Sequence, residues 1–342
     1  MTSTGGDGND DRPPDPGVSP AIPTTRVNHG ARRGTLRGAM DLLHTTTAVV
    51  RRPAGIVRVT GHDRLTYLHS LLSQHLEGAR PGTVADFLYL DAKGTALAEG
   101  RAVVRAGDVV LVTAPDVAPS LTDALNRFTF LLDATAHDDS GAWALSSVRG
   151  PDTDGLPGAR SAPMTAAPHD PGVVVRDRSG GVDYLGPADW VDERVADLGL
   201  PEAGLQDWER WRIRAAQPAW AKEIAAGRRT QELGLLPTHV HLRKGCYPGQ
   251  ESIAKTYNLG RPRRALCVVE FDAAVAPDSD VSTGGRPGIV TSAAADGTHT
   301  VALALLPLDR EGRVPDDGAV TVGDVSGRVV ARVGAGLSQP GA

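Results

Sequence analysis

The chain predicts an α+β fold built from more than one subdomain and ending in a small all-β unit. Three observations support this. Its 342 residues, 40% of them hydrophobic, are more than a single core usually organises. From about residue 40 to 260, strands with a two-residue period alternate with hairpin turns and with helices of 3.6-residue period. Beyond Arg264 the pattern changes to short strands between turn-rich pieces, as in a small barrel or sandwich. No fixed-period repeat is present.

Residues 1–36 are rich in Gly, Pro, Asp and Thr with little apolar periodicity, and are expected to form a disordered tail. Structure is expected to begin near Met40, and Ile56 to Thr60 alternates as a strand before Gly61 breaks it. Leu65, Leu68, Leu72 and Leu76 then follow helical spacing, with Asp63 placed to cap the first turn. Phe87 to Leu90 reads as a strand, Asp91 to Gly94 as a hairpin turn, and Ala106 to Asp108 as a second one. Leu121, Leu125, Phe128 and Leu132 fit one helix face, with Pro119 in the first turn. The stretch 150–172 reads as a surface loop, and helical pattern resumes over Val191 to Leu198 and Leu205 to Ala216. Strands are expected at Ala265 to Phe271, Gly288 to Ser292, Thr298 to Leu306 and Val320 to Val330. The resulting division is 37–260 for the core, 261–336 for the β unit and 337–342 for a tail.

A net charge of -5 argues against coating by nucleic acid, and 4% aromatics leaves few platforms for stacked bases, so no direct nucleic-acid binding is expected. The N-terminus lacks a basic n-region and an apolar h-region, and no apolar run approaches the ~18 residues that span a bilayer. A cytoplasmic protein with no membrane contact is expected. Two cysteines, Cys246 and Cys267, are too few for a disulfide framework or a four-cysteine metal site, so no resident metal is expected.

The segment Lys244-Gly245-Cys246-Tyr247-Pro248-Gly249-Gln250-Glu251 concentrates a cation, a thiol and two glycines. Glycines here lower any regular propensity and permit unusual backbone angles, so the segment reads as a shaped loop between a strand at Val240 to Leu242 and a helix containing Ile253 and Tyr257. Lys244 and the helix N-terminus both favour a Cys246 thiolate; a buried, inert cysteine is the competing reading. His239 and His241 form H-x-H-x4-C with Cys246, but no fourth ligand is placed for zinc, and nothing supplies the oxyanion site of a Cys-His nucleophile. Six basic residues from Arg243 to Arg264 face one acid, Glu251, and make a local positive patch.

These eight residues resemble the K-G-C-Y-x-G-Q-E signature of the YgfZ-type folate-binding family, relatives of the glycine-cleavage T-protein. Asn258 to Pro262, Gly61-His62-Asp63-Arg64 and Gly288-Ile289-Val290-Thr291-Ser292 resemble the same family, over most of residues 40–335. The resemblance implies a GcvT-like multi-subdomain fold with a C-terminal β-barrel, tetrahydrofolate bound at its centre, and the signature loop nearby. It also implies a role as an accessory to iron-sulfur cluster assembly or repair, including clients that modify tRNA. Cys246 and Lys244 would carry the chemistry; Arg212, Tyr247, Gln250, Glu251 and Arg261 would serve the folate; iron-sulfur client or assembly proteins would be the partners, with transient cluster contact.

Two departures bear on the alternative, a folate-dependent aminomethyl or methyl transferase. The aligned place of the T-protein proton-handling aspartate is Ala98, with Glu99 beside it. The pterin-holding glutamate of its R-x-E element is replaced by Arg214 in Arg212-Ile213-Arg214. Trp208, Trp211 and Trp220 cluster near the implied pocket, as ring platforms or as core.

Overall fold

In the computed structural model, residues 42–160, 162–259 and 262–337 are described. The tail expected over 1–36, Arg261 and residues 338–342 lie outside them. Three antiparallel β assemblies form the frame. The first sheet runs Val84–Leu90, Ala96–Val104, Asp108–Thr113, Gly55–Thr60, Thr135–Asp138 in spatial order. The second runs Ala48–Arg52, Trp143–Arg149, Val182–Pro187, Gly172–Arg176, Thr165–His169. Six strands close the barrel: Arg264–Phe271, His299–Pro307, Arg286–Asp296, Asp280–Thr283, Ala319–Val322 and Val325–Arg332, the last pairing back onto the first. The expected α+β fold with a C-terminal β-barrel is what forms, and closure leaves the barrel no open edge.

Alternation along the strands sets how these assemblies meet. Ile56, Val103 and Val110 of the first sheet pack on Leu145, Val175 and Leu185 of the second, so the two lie face to face. The opposite face of the first sheet is covered by helices Arg64–Leu71 and Ala118–Asn126 through Leu68, Leu121 and Leu125. The barrel docks where Leu266, Leu303 and Leu305 meet Leu88 and Leu90. Each leucine here is essentially solvent-free, and burying such a side chain stabilises by about 1.5–3 kcal/mol.

A β-bulge decides the facing of one strand. Register shifts between Tyr89 and Leu90, which pair with Ala98 and Ala96, so Leu97 is the extra residue. Ala96 consequently packs toward the barrel with Leu90, while Ala98 turns to the helix-covered core. Glu99, Arg101 and Val103 then face the second sheet.

Several local expectations are corrected. The helix after Asp63 stops at Leu71, and Leu72 and Leu76 are buried from an irregular segment. Asp63 makes no side-chain cap; its carboxylate accepts the Asp133 N–H instead. Helix Ala118–Asn126 ends before Phe128 and Leu132, which are exposed. The expected loop 150–172 contains strand Thr165–His169, hairpinned to Gly172–Arg176. Val240 to Leu242 is not a strand, and His239 is instead the last residue of the short helix Leu236–His239. The Val320 to Val330 run folds as two strands joined at Gly323, whose φ of 55° suits a tight turn. Among the described residues no helix is long and apolar enough to cross a membrane.

Candidate ligand cavity and thiol loop

A cavity of about 370 Å³ lies between the two sheets, beside helix Leu205–Arg214 and the π-helical turn Trp220–Ile224. Its size suits a small organic molecule. Most charges on its walls neutralise one another. Arg101 donates from Nε to Asp86 at 2.8 Å and from Nη1 to Asp183 at 3.4 Å. Arg149, fully buried, pairs with Asp177 at 2.8 Å and Asp183 at 2.9 Å. Arg212 forks onto Glu209 and also donates to Ser292 Oγ at 2.7 Å, with buried Glu223 3.5 Å away. Burial alone would oppose ionisation of Asp86, yet Arg101 and His239 beside it hold its carboxyl down at about 2. Buried charges of this kind persist only when paired, so this lattice is the scaffold of the cavity.

Two wall groups stand apart from it. Glu99 Oε1 lies 3.2 Å from His239 Nε2, and among the described residues its other oxygen accepts no hydrogen bond. His239 is oriented in turn by Thr238 Oγ1 at 2.7 Å from Nδ1. Arg52 rests with its guanidinium carbon 3.8 Å from the Trp208 ring centre. Trp220 also lines the cavity; Trp211 does not, stacking instead against Trp208 at 4.8 Å. Sequence reasoning noted Glu99 only as a neighbour of Ala98 and passed over Arg52. The bulge that turns Glu99 inward has no signature in the sequence.

Of the residues read as a site, Arg212 lines the cavity, whereas Lys244, Cys246, Tyr247, Gln250 and Glu251 do not. They form a separate loop that leans on the first sheet. Lys244 is buried, and its ammonium donates to the carbonyls of His69 and Leu72, the latter at 2.6 Å, which satisfies the C-terminal end of helix Arg64–Leu71. The Tyr247 ring lies 4.6 Å from the ammonium. Burial pushes the Lys244 pKa down to about 8, with the neighbouring Cys246 acting in the opposite direction. Gly249 has φ +78°, and a Cβ there would stand 2.6 Å from the Asp91 carbonyl oxygen, so glycine lets the loop lie on the Asp91 to Gly94 hairpin. Cys246 is exposed; Cys267 is sealed in the barrel core, where burial pushes its thiol up to about 11. Tyr247 is buried, and Gln250 and Glu251 open helix Gln250–Leu259.

The expected basic patch is much reduced. Lys244 is inside, and Arg264 pairs with Glu232 at 3.1 Å. Arg214 is turned to Glu270, at 2.9 Å, and to Asp296, away from the cavity. His239 and His241 also part company, since the His241 ring lies tilted against His75 at 5.2 Å and His75 meets His69 edge-on at 4.8 Å. His69 Nδ1 accepts the N–H groups of Leu76 and Glu77, which leaves its proton on Nε2 and no lone pair for a metal. Among the described residues no group of three His, Cys, Asp or Glu side chains could hold a metal ion.

Two outcomes follow. The lowered Lys244 pKa means the unfolded chain keeps its proton between about pH 8 and the ordinary 10.5 while the folded chain has lost it, so stability from this group rises with pH across that window. Urea midpoints of wild type and Lys244→Met should therefore diverge in favour of wild type as pH rises from 8 to 10, and a pH-independent difference would contradict the assignment. In native protein one thiol, Cys246, should react with a disulfide reagent, and Cys267 only after unfolding.

No protein-family model matches the chain. A putative chloroplastic transferase of Arabidopsis thaliana is 26% identical over 255 residues, 68% of this chain and 58% of that protein. An aminomethyltransferase of Streptomyces avermitilis is 28% identical over 232 residues, 60% of this chain and 62% of that protein. The chain thus spans less than two thirds of either curated relative. The crystal structure of glycine cleavage system aminomethyltransferase T from Bartonella henselae matches with a TM-score of 0.69 at 15% identity, covering 87% of this chain and 89% of that one. The chain has the fold of that aminomethyltransferase, and of the two sequence relatives one is named a putative transferase and the other an aminomethyltransferase.

Proposed function

We propose that the protein binds a reduced folate in the cavity between its sheets and presents Cys246 to iron-sulfur client or assembly proteins, as an accessory to cluster assembly or repair. The observation that carries this reading is the placement of two distinct features on one sheet: a cavity into which Glu99 brings a carboxylate oxygen that no protein donor meets among the described residues, and an exposed thiol on a loop braced by buried Lys244. The cavity residues fit a pterin. Its 2-amino and N3–H edge offers two donors to Glu99, and Trp220 lines the same cavity. Glu99 would thereby supply from the sheet the acceptor that Arg214 does not supply from the helix. Cys246 is one ligand at most, so any cluster it touches takes its remaining ligands from a partner.

The same carboxylate supports a second reading. Glu99, oriented by His239, is the kind of group that moves a proton in one-carbon transfer, as an aminomethyltransferase relative would require.

Calorimetric titration with tetrahydrofolate separates these readings when paired with Cys246→Ser. The accessory reading expects that variant to bind folate as wild type does and to fail in restoring iron-sulfur enzyme activity to a strain lacking the native gene. Full restoration would remove the thiol from the mechanism, and turnover of an aminomethyl donor by Cys246→Ser would favour the transferase. Absence of folate binding by wild type would contradict both.

A further inference from the structure

Every arginine on the cavity wall except one is met by carboxylates: Arg101 by Asp86 and Asp183, Arg149 by Asp177 and Asp183, Arg212 by Glu209 and Glu223. Arg52 is the exception among the described residues. It makes one hydrogen bond, from Nη1 to Ser147 Oγ at 3.2 Å, and lies on the face of Trp208. A guanidinium carries five N–H donors, so most of this fork lacks an acceptor. Stacking on the indole fixes the plane of the fork and leaves its edge to make contacts, an arrangement that arginine provides and lysine does not.

We infer that Arg52, held on Trp208, is a carboxylate-binding subsite of the cavity, taking the acidic end of a ligand whose other end reaches Glu99. The reasons are electrostatic and geometric. Arg52 is half-buried on the cavity wall and makes no ion pair among the described residues, so its free N–H groups can meet an incoming carboxylate through two parallel N–H···O bonds. Burial lowers the Arg52 pKa to about 10 with Arg149 and Arg101 contributing, and Asp183 and Asp177 opposing. Those same two aspartates disfavour a compact doubly charged phosphate at the fork, which matches instead the two coplanar oxygens of one carboxylate group, such as either carboxylate of a glutamate. Cavity and charge thus select a ligand with an N–H donor edge at one end and a carboxylate at the other. The name of that ligand, a folate with its glutamate tail, rests on the folate reading; the carboxylate preference does not. The basic segment Arg243 to Arg264, with Lys244 buried and Arg264 paired, is correspondingly not needed to hold the tail.

The test uses the full chain and three probes by calorimetry: tetrahydrofolate, p-aminobenzoylglutamate, and a pterin without the benzoylglutamate. Arg52→Gln should weaken the first two by roughly 10- to 100-fold, as loss of charge-assisted hydrogen bonds does, and leave the tail-free pterin within about twofold. Arg52→Lys, which keeps the charge, should recover part of the loss, and melting temperatures of the free variants report whether each is folded. If Arg52→Gln holds p-aminobenzoylglutamate as tightly as wild type, the subsite is overturned while the folate reading stands. If wild type takes p-aminobenzoylglutamate but not tetrahydrofolate, and Arg52→Gln loses it, the folate reading falls and the subsite stands. If wild type does not bind p-aminobenzoylglutamate, the subsite is overturned.

Discussion

Ser73 is the joint on which the arrangement of cavity and thiol loop depends. This fully buried residue donates its backbone N–H to Leu88 O of strand Val84–Leu90 at 2.9 Å, and its side-chain hydroxyl accepts the Leu88 N–H at 2.8 Å. The same hydroxyl donates to His239 O at 2.6 Å, and Ser73 O accepts the His241 N–H at 2.9 Å. Gln74 repeats the pattern, donating to the carbonyls of Asp86 and Thr238. The chain leaving helix Arg64–Leu71 is thereby clamped between the edge strand and the segment that leads into Lys244. Without these bonds, buried donors and acceptors on three segments would lose their partners at about 1–3 kcal/mol each. His239 could then no longer be held against Glu99.

The cavity illustrates how a buried charge lattice divides into structure and function. Arg149 and Arg101 share Asp183 and tie the two sheets together, and removing one member would strand the others in a dry interior. Groups so completely engaged have little left for a ligand. Glu99 and Arg52 keep unused hydrogen-bonding capacity, sit on strands of different sheets, and are each oriented from behind, by His239 and by Trp208. Orientation from behind is what a binding group needs, because it leaves the outward edge fixed and available.

The regular elements were legible in the sequence because their apolar periods survive folding: Gly55–Thr60, the hairpin at Asp91 to Gly94, helix Gln250–Leu259 and most barrel strands fall where alternation or helical spacing puts them. Element ends were less so. Phe128 and Leu132 continue a helical spacing that the backbone abandons after Asn126, and Leu72 and Leu76 do the same after Leu71. The thiol loop announced itself through Gly, Cys and Lys in one short run, but the reason for Lys244 did not, since its acceptors lie some 170 residues earlier in the chain, with |i−j| of 175 and 172. The cavity was the least legible part. Arg52 and Glu99 belong to ordinary strands, and what distinguishes them is the pairing of their neighbours, a property of the assembled sheets.

One sheet carries both the ligand cavity and the thiol loop, joined through Ser73 and the His239 to His241 segment. Hydrogen exchange of the full chain with and without tetrahydrofolate tests it, because amide protection reports the opening of such joints. Ligand binding should slow exchange at Leu88 and His241 as well as in the strands bearing Glu99 and Arg52. Protection confined to those strands, with His241 and Leu88 exchanging as in the free protein, would contradict it.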